Sequence, residues 1–140
     1  MLQATYNRIV TIDADLENPP KLIPKLAELL KEYHLVHASR NKLPRISEKI
    51  AAATIGKIIG VKDVYSNLRA YRKEIIPHIK PVSGETFGAE LLLNAWLKNY
   101  KIKEITYNPP PRRTKPRIGG TTKANIKILT ATLRLYKIIF

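Results

Sequence analysis

Arg8-Ile9-Val10-Thr11-Ile12 runs without a break into Asp13-Ala14-Asp15. The first five residues are rich in β-branched side chains, which fit a pleated, half-buried surface, and they predict a short buried strand. Two carboxylates one residue apart then stand where the chain leaves that strand. A hard divalent cation takes one or two carboxylates together with phosphate oxygens, so the strand end is a candidate metal site. The same residues also read as a solvated acidic turn before the next helix, because Asp is common at turns and N-caps.

Working outward, Asn18-Pro19-Pro20 predicts a helix start, with Asn18 as the cap and proline in the first turn. The helix is expected over residues 20–32, burying Leu22, Ile23, Leu26, Leu29 and Leu30. Leu35-Val36-His37-Ala38 reads as a second strand, and strand–helix–strand is the pattern of an α/β unit with parallel strands. A basic loop follows over residues 39–45. Ser47 and Glu48 open an amphipathic helix that closes at Gly60. Residues 63–71 are ambiguous, with a strand as one reading. Helices are expected over 74–79, 85–99 and 122–140, an exposed or edge strand over 101–107, and a loop rich in Pro, Arg and Gly over 108–122.

The 140 residues are enough for one domain with a modest core. There is no cysteine, so disulfide and thiolate chemistry are excluded. The histidines 34, 37 and 78 lack zinc-like spacing. The net charge is +14, and residues 101–140 hold ten Lys or Arg against the single acid Glu104. That field favours an anionic partner: nucleic acid, a phosphorylated ligand or an acidic membrane surface. No run of 18 apolar residues is present to span a bilayer. With no signal peptide in view, the expected location is the cytoplasm, at or near the cytoplasmic face of a membrane.

Several segments then line up in order. Ile-Asp-Ala-Asp-Leu-Glu-Asn-Pro-Pro (residues 12–20) resembles the metal motif of the family 2 glycosyltransferases, in the dolichol-phosphate mannose synthase-like branch. Val-His-Ala-Ser-Arg (36–40) is similar to that branch's strand ending in Gly-Ser-Arg. Asp-Val-Tyr-Ser-Asn-Leu-Arg-Ala-Tyr-Arg (63–72) looks like its Ser-Gly-Phe-Arg-x-Tyr segment. Gly-Glu-Thr-Phe-Gly-Ala-Glu-Leu-Leu (84–92) resembles its acceptor-side helix, and Arg117-Ile-Gly-Gly-Thr-Thr-Lys123 its basic Gly-Gly-Ser-Lys loop. The resemblance covers nearly the whole chain.

It implies an α/β fold: a partial GT-A, Rossmann-like sheet with flanking helices, its N-terminal strands missing. It implies a transferase that moves a sugar from a nucleotide-sugar donor to a polyprenyl or dolichyl phosphate, or to a glycan. Asp13 and Asp15 would hold Mg²⁺ or Mn²⁺, with Asp15 also catalytic. Arg40, Arg69, Arg117 and Lys123 would hold the donor diphosphate or a lipid phosphate, since guanidinium groups match phosphate bidentately. A phosphate acceptor is already ionised; a hydroxyl acceptor needs a base, for which Glu85 and Glu90 are the candidates. Residues 1–122 are expected to form the C-terminal part of a catalytic domain. Residues 123–140 are expected to form a basic amphipathic helix at a membrane interface.

The chain departs from the family at the front. Only twelve residues precede Asp13, where family members carry a nucleotide-binding half. The strand over residues 8–12 is therefore expected to leave one edge bare, which invites pairing with a second copy or with a partner chain that supplies the missing half. Weak activity is expected of the chain alone. Ser66-Asn67-Leu68-Arg69 also departs from Ser-Gly-Phe-Arg, and the apolar end Lys137-Ile-Ile-Phe140 is consistent with a lost membrane extension.

A rival class remains. Residues 51–58, Gly60-Val61 and residues 63–72 imitate a helix-turn-helix, with Arg69, Arg72 and Lys73 on the recognition helix of a basic DNA-binding module.

Overall fold

The structure is a computed structural model and describes residues 3–14, 17–79, 86–111 and 121–140. Four strands form one mixed sheet: β1 (Arg8–Thr11), β2 (Leu35–Arg40), β3 (Arg69–Arg72) and β4 (Ile102–Tyr107), in the order β1-β3-β2-β4. β3 runs antiparallel to both β1 and β2, while β2 and β4 are parallel. β1 and β2 therefore point the same way, as the strand–helix–strand pattern implies, but β3 lies between them. β4 is an edge strand, as expected. Among the described residues β1 is paired only on its β3 side, which leaves the expected bare edge.

β2 is the best-buried strand, with all of Leu35, Val36, His37, Ala38 and Ser39 out of solvent. Side chains alternate between the faces of a strand, and the core follows that alternation. Leu35 packs with Tyr71, Ile55, Val64, Leu91, Leu92 and Leu135. Val36 and Ala38 pack on the other side with Leu26, Leu30, Leu68, Ala70 and Tyr107. The first face is covered by α3 (Lys57–Ile59) with the turn before it, α4 (Phe87–Leu97) and α5 (Thr121–Ile139), and α2 (Ile46–Ala51) packs against α5; the second is covered by α1 (Ile23–Leu29). The result is a three-layer α/β domain.

The helix after the Asp pair begins as a 3₁₀ turn over Pro20–Leu22, with Pro19 rather than Asn18 in the cap position and no side-chain cap. Asn18 is instead buried, and its Oδ1 accepts a hydrogen bond from the Tyr107 hydroxyl at 2.6 Å. A cross-chain partner from β4 outcompetes the local backbone here. Between α2 and α3 the helix widens into a π segment, Ala52–Gly56. It closes at Gly60, whose φ of +84° is the left-handed conformation that glycine adopts without steric cost.

The helix-turn-helix reading is overturned. Arg69–Arg72 is a strand in the middle of the sheet, and the recognition helix it would need does not form. Arg69, assigned to a DNA-facing surface on that reading, is buried. A side chain paired across two neighbouring strands cannot lie in a DNA groove.

Candidate active site

Strand direction decides where the site lies. The C-terminal ends of β1, β2 and β4 and the N-terminal end of β3 all emerge on one edge of the sheet. In open α/β sheets ligands bind beyond the carboxyl ends of the strands. A cavity of about 550 Å³ opens there. Its wall brings together Asp13 after β1, Arg40 at the end of β2, Ser66, Asn67 and Arg69 around the start of β3, and Pro109 and Pro110 beyond β4. Arg45 and Glu48 of the α2 N-terminal turn, Thr86, Gly88 and Ala89 at the start of α4, and Ile128 of α5 close the other side.

Asp13 is exposed, and its Oδ2 accepts a hydrogen bond from Asn67 Nδ2 at 2.8 Å. Asn67 is in turn held by its carbonyl, which accepts from Thr11 Oγ1. The Asp13 donor set suits a hard cation: an oxygen ligand on the rim of a polar cavity, with Glu17 and Asn18 on the same wall. Among the described residues no group of three metal-ligating side chains exists, so a cation there would also draw on phosphate oxygens, as Mg²⁺ commonly does. Asp15 lies outside the described residues, as do Glu85 and Arg117.

The cavity floor is a buried polar chain. Arg69 is 3% exposed; its Nε donates to His37 Nδ1 at 3.2 Å, and its Nη2 donates to the Val64 carbonyl. His37 Nδ1 thus accepts, which fixes Nε2 as the protonated nitrogen that donates to the Asp63 carbonyl. Burial, and next the Arg69 charge, hold the His37 pKa down at about 3, against the opposing Asp63 carbonyl. Burial likewise lowers the Arg69 pKa to about 10, which leaves it cationic at neutral pH.

Arg40 stands at the other end of this chain. Its Nε and Nη2 meet the two Asp63 carboxylate oxygens at 2.6 and 3.1 Å, and Nη2 also reaches Glu48. Burial pushes the Arg40 guanidinium down, but the Asp63 and Glu48 carboxylates outweigh it and hold it above the ordinary arginine value. Arg40 therefore lines the cavity already paired. Glu48 also accepts from Arg45 at the start of its own helix, and its bond with Arg40 ties α2 to β2.

The remaining sequence-predicted residues are dispersed. Glu90 is 2% exposed, and its Oε1 accepts from Thr86 Oγ1 at 2.8 Å. It is not the solvated helix residue that its position also allows. Lys123 is exposed on the first turn of α5 and is not one of the described residues that line the cavity. The sequence reading missed Asp63, Asn67 and Gly88. Asp63 and Asn67 lie inside the segment that resembles the family motif, and Asn67 is the departure from it.

A comparison with protein-family profiles gives no match. Among curated proteins, the chain is 30% identical over 126 residues to a dolichyl-phosphate hexose transferase of Haloferax volcanii; the match covers 82% of this chain and 53% of that protein. It is 37% identical over 82 residues to an undecaprenyl-phosphate 4-deoxy-4-formamido-L-arabinose transferase of Pectobacterium atrosepticum, covering 53% of this chain and 25% of that one. Among solved structures it superposes on glucosyl-3-phosphoglycerate synthase of Mycobacterium tuberculosis with a TM-score of 0.69 at 20% identity, covering 92% of this chain and 50% of the other. Another structure of that enzyme holds Mn²⁺, UDP and glucosyl-3-phosphoglycerate. The chain spans about half the length, or less, of these relatives. On sequence and fold together, the chain belongs to the family 2 glycosyltransferases of GT-A fold, in the branch whose members are named as polyprenyl-phosphate sugar transferases.

Proposed function

We propose that this chain forms the acceptor side of a metal-dependent glycosyltransferase that moves a sugar from a nucleotide-sugar donor to a polyprenyl or dolichyl phosphate. One observation carries the reading: a single cavity at the carboxyl ends of the strands has the Asp13 carboxylate on one wall and the buried Arg69 cation on its floor. The relatives named as polyprenyl-phosphate transferases support the same substrate class.

Asp13, with Asp15, would hold Mg²⁺ or Mn²⁺; such an ion, when bound, neutralises the diphosphate and acts as a Lewis acid on its oxygens. Asn67 keeps the Asp13 carboxylate turned along the cavity wall. Arg69 supplies fixed positive charge that needs no reorganisation when negative charge arrives, and Arg40, held by Asp63 and Glu48, is assigned to the same anionic substrates. Arg117 and Lys123 are assigned to the same anionic substrates. Glu90 sits behind Thr86 rather than on the cavity wall. That placement favours an acceptor that is already ionised, such as a phosphate, over a hydroxyl whose proton Glu90 would have to take.

Residues 1–122 make up the catalytic part on this reading, and residues 123–140 the membrane-facing helix. α5 exposes Ile126 and Leu133 beside Lys123, Lys127, Arg134 and Lys137, and its neighbour α2 exposes Ile46 and Ile50 beside Lys49. Apolar tips among basic side chains suit an anionic interface, here the cytoplasmic face of a membrane. No described helix is long and apolar enough to cross a membrane. The free edge of β1 is assigned to a strand from a partner chain or a second copy that supplies the nucleotide-binding half. Sedimentation showing a monomer at every concentration, alone and with candidate partners, would remove that assignment.

The direct test is titration of the chain with farnesyl phosphate in the presence of Mn²⁺. Saturable binding that weakens in Arg69→Ala and in Asp13→Ala is the expected result. Binding that ignores both substitutions would refute the site.

A further inference from the structure

The buried Arg69 cation has no carboxylate hydrogen-bonded to it among the described residues, and two of its three nitrogens bond to described residues. Nη1 makes no hydrogen bond within the described residues. Asp63 and Asp13 act on Arg69 without hydrogen-bonding to it, and a guanidinium out of water with no directly bound carboxylate is costly. Its neighbour is Gly88 in the first turn of α4. The place that a Cβ would take at Gly88 is occupied by Arg69 Nη1, with Cζ 2.5 Å and Nη2 3.0 Å away. Glycine weakens a helix relative to alanine, yet here it leaves the slot that the guanidinium fills. Arg69 and Gly88 line the same cavity. The first N–H groups of an α-helix have no partner within the helix and carry its positive end, and α4, from Phe87 to Leu97, begins at this spot.

We propose that Gly88 is the positioning residue of a phosphate subsite: by presenting no side chain it seats the Arg69 guanidinium with Nη1 at the cavity, where Nη1 and the first turn of α4 meet a phosphate or pyrophosphate oxygen. This rests on the reading of the cavity as a phosphate site, and goes beyond it by naming the residue that sets the geometry of its buried cation. The anion supplies a directly bound counter-charge, beside the Asp63 and Asp13 carboxylates that act on Arg69 without bonding to it. Any side chain at residue 88 pushes the guanidinium away from both His37 and the ligand.

The experiment compares the full-length wild type with Gly88→Ala, Arg69→Ala and the double variant. Inorganic pyrophosphate is titrated by calorimetry, and the arginine Nε–H signals are followed by NMR. The wild type should show a slowly exchanging Nε–H signal that is absent in Arg69→Ala, since this N–H is buried against His37. Gly88→Ala should lose the same signal and bind pyrophosphate about tenfold more weakly, the scale of one charge-assisted hydrogen bond. The double variant should bind no worse than Arg69→Ala alone. Should Gly88→Ala fail to fold, recovery of folding in the double variant is the same steric conflict read another way and supports the seat; a double variant that stays unfolded overturns it. The proposal also falls if Gly88→Ala keeps the signal and the wild-type affinity, or if it weakens binding equally with and without Arg69. A wild type that binds no pyrophosphate overturns the phosphate reading of the cavity, and the ligand half of this proposal with it. The Nε–H comparison still decides separately whether Gly88 seats the arginine.

Discussion

Asn67 donates its side-chain N–H to Asp13 across 54 residues of sequence, and through it the loop before β3 fixes the carboxylate in which β1 ends. The bond converts a flexible exposed acid into one with a set direction along the cavity wall. Outer-sphere partners of this kind orient ligands, and their loss typically costs 10–100-fold in metal affinity, on the order of a few kcal/mol at most. Replacing Asn67 by Ala should therefore weaken Mn²⁺ binding about tenfold, measured by titration with a nucleoside diphosphate present. Stability should change little, because the contact is exposed.

Asp63 is the hub beneath the cavity. Its carboxylate pairs with Arg40, its carbonyl accepts from His37, and its backbone N–H donates to Ser39 Oγ. The Asp63 side chain is 1% exposed and that of Arg40 is 16% exposed. Breaking a buried pair costs about 3–5 kcal/mol, and removal of Asp63 leaves Arg40 with Glu48 as its one remaining carboxylate among the described residues. Asp63→Ala should lower unfolding free energy by about that amount in urea titrations. Substituting Arg40 and Asp63 together by apolar residues should cost less than Asp63→Ala alone.

His37 makes the fold acid-sensitive. Its folded-state pKa of about 3 lies below the ordinary histidine value of 6.5. The unfolded chain therefore binds the extra proton between those two pH values, and stability rises with pH across that window. On acidification the contribution is intact above about 6.5 and is lost progressively as pH falls toward 3, at up to about 1.4 kcal/mol per pH unit. Chemical denaturation at a series of pH values should show this slope. His37→Gln, which leaves no imidazole to protonate, should flatten it.

The Tyr107–Asn18 bond ties the segment after the Asp pair to the end of β4. Tyr107→Phe leaves the buried Asn18 oxygen without that donor. The expected cost is about 1–3 kcal/mol, read as a lower urea midpoint with an unchanged slope. Because Asn18 also lines the cavity, Mn²⁺ affinity should fall in the same variant.

Several elements were legible from the residues themselves. Residues 8–12 read as a strand because β-branched side chains favour one, Gly60 marked a helix end because it tolerates positive φ, and the Asp13 carboxylate marked a strand end suited to a cation. These are local properties, set by each residue's own sterics and charge. The resemblance to the family motifs singled out Arg40 and Arg69 as expected phosphate-binding residues, and both line the one cavity. Tertiary structure alone decided the rest. It inserted β3 between β1 and β2, so that Arg69 faces His37 in the interior rather than a DNA groove. It turned Asn18 from a helix cap into a partner of Tyr107, paired Arg40 with Asp63, and set Arg69 into the space left open at Gly88. Each of these contacts joins residues distant in sequence. Nothing local encodes them, because they exist only once the packed sheet brings its strand ends to one edge.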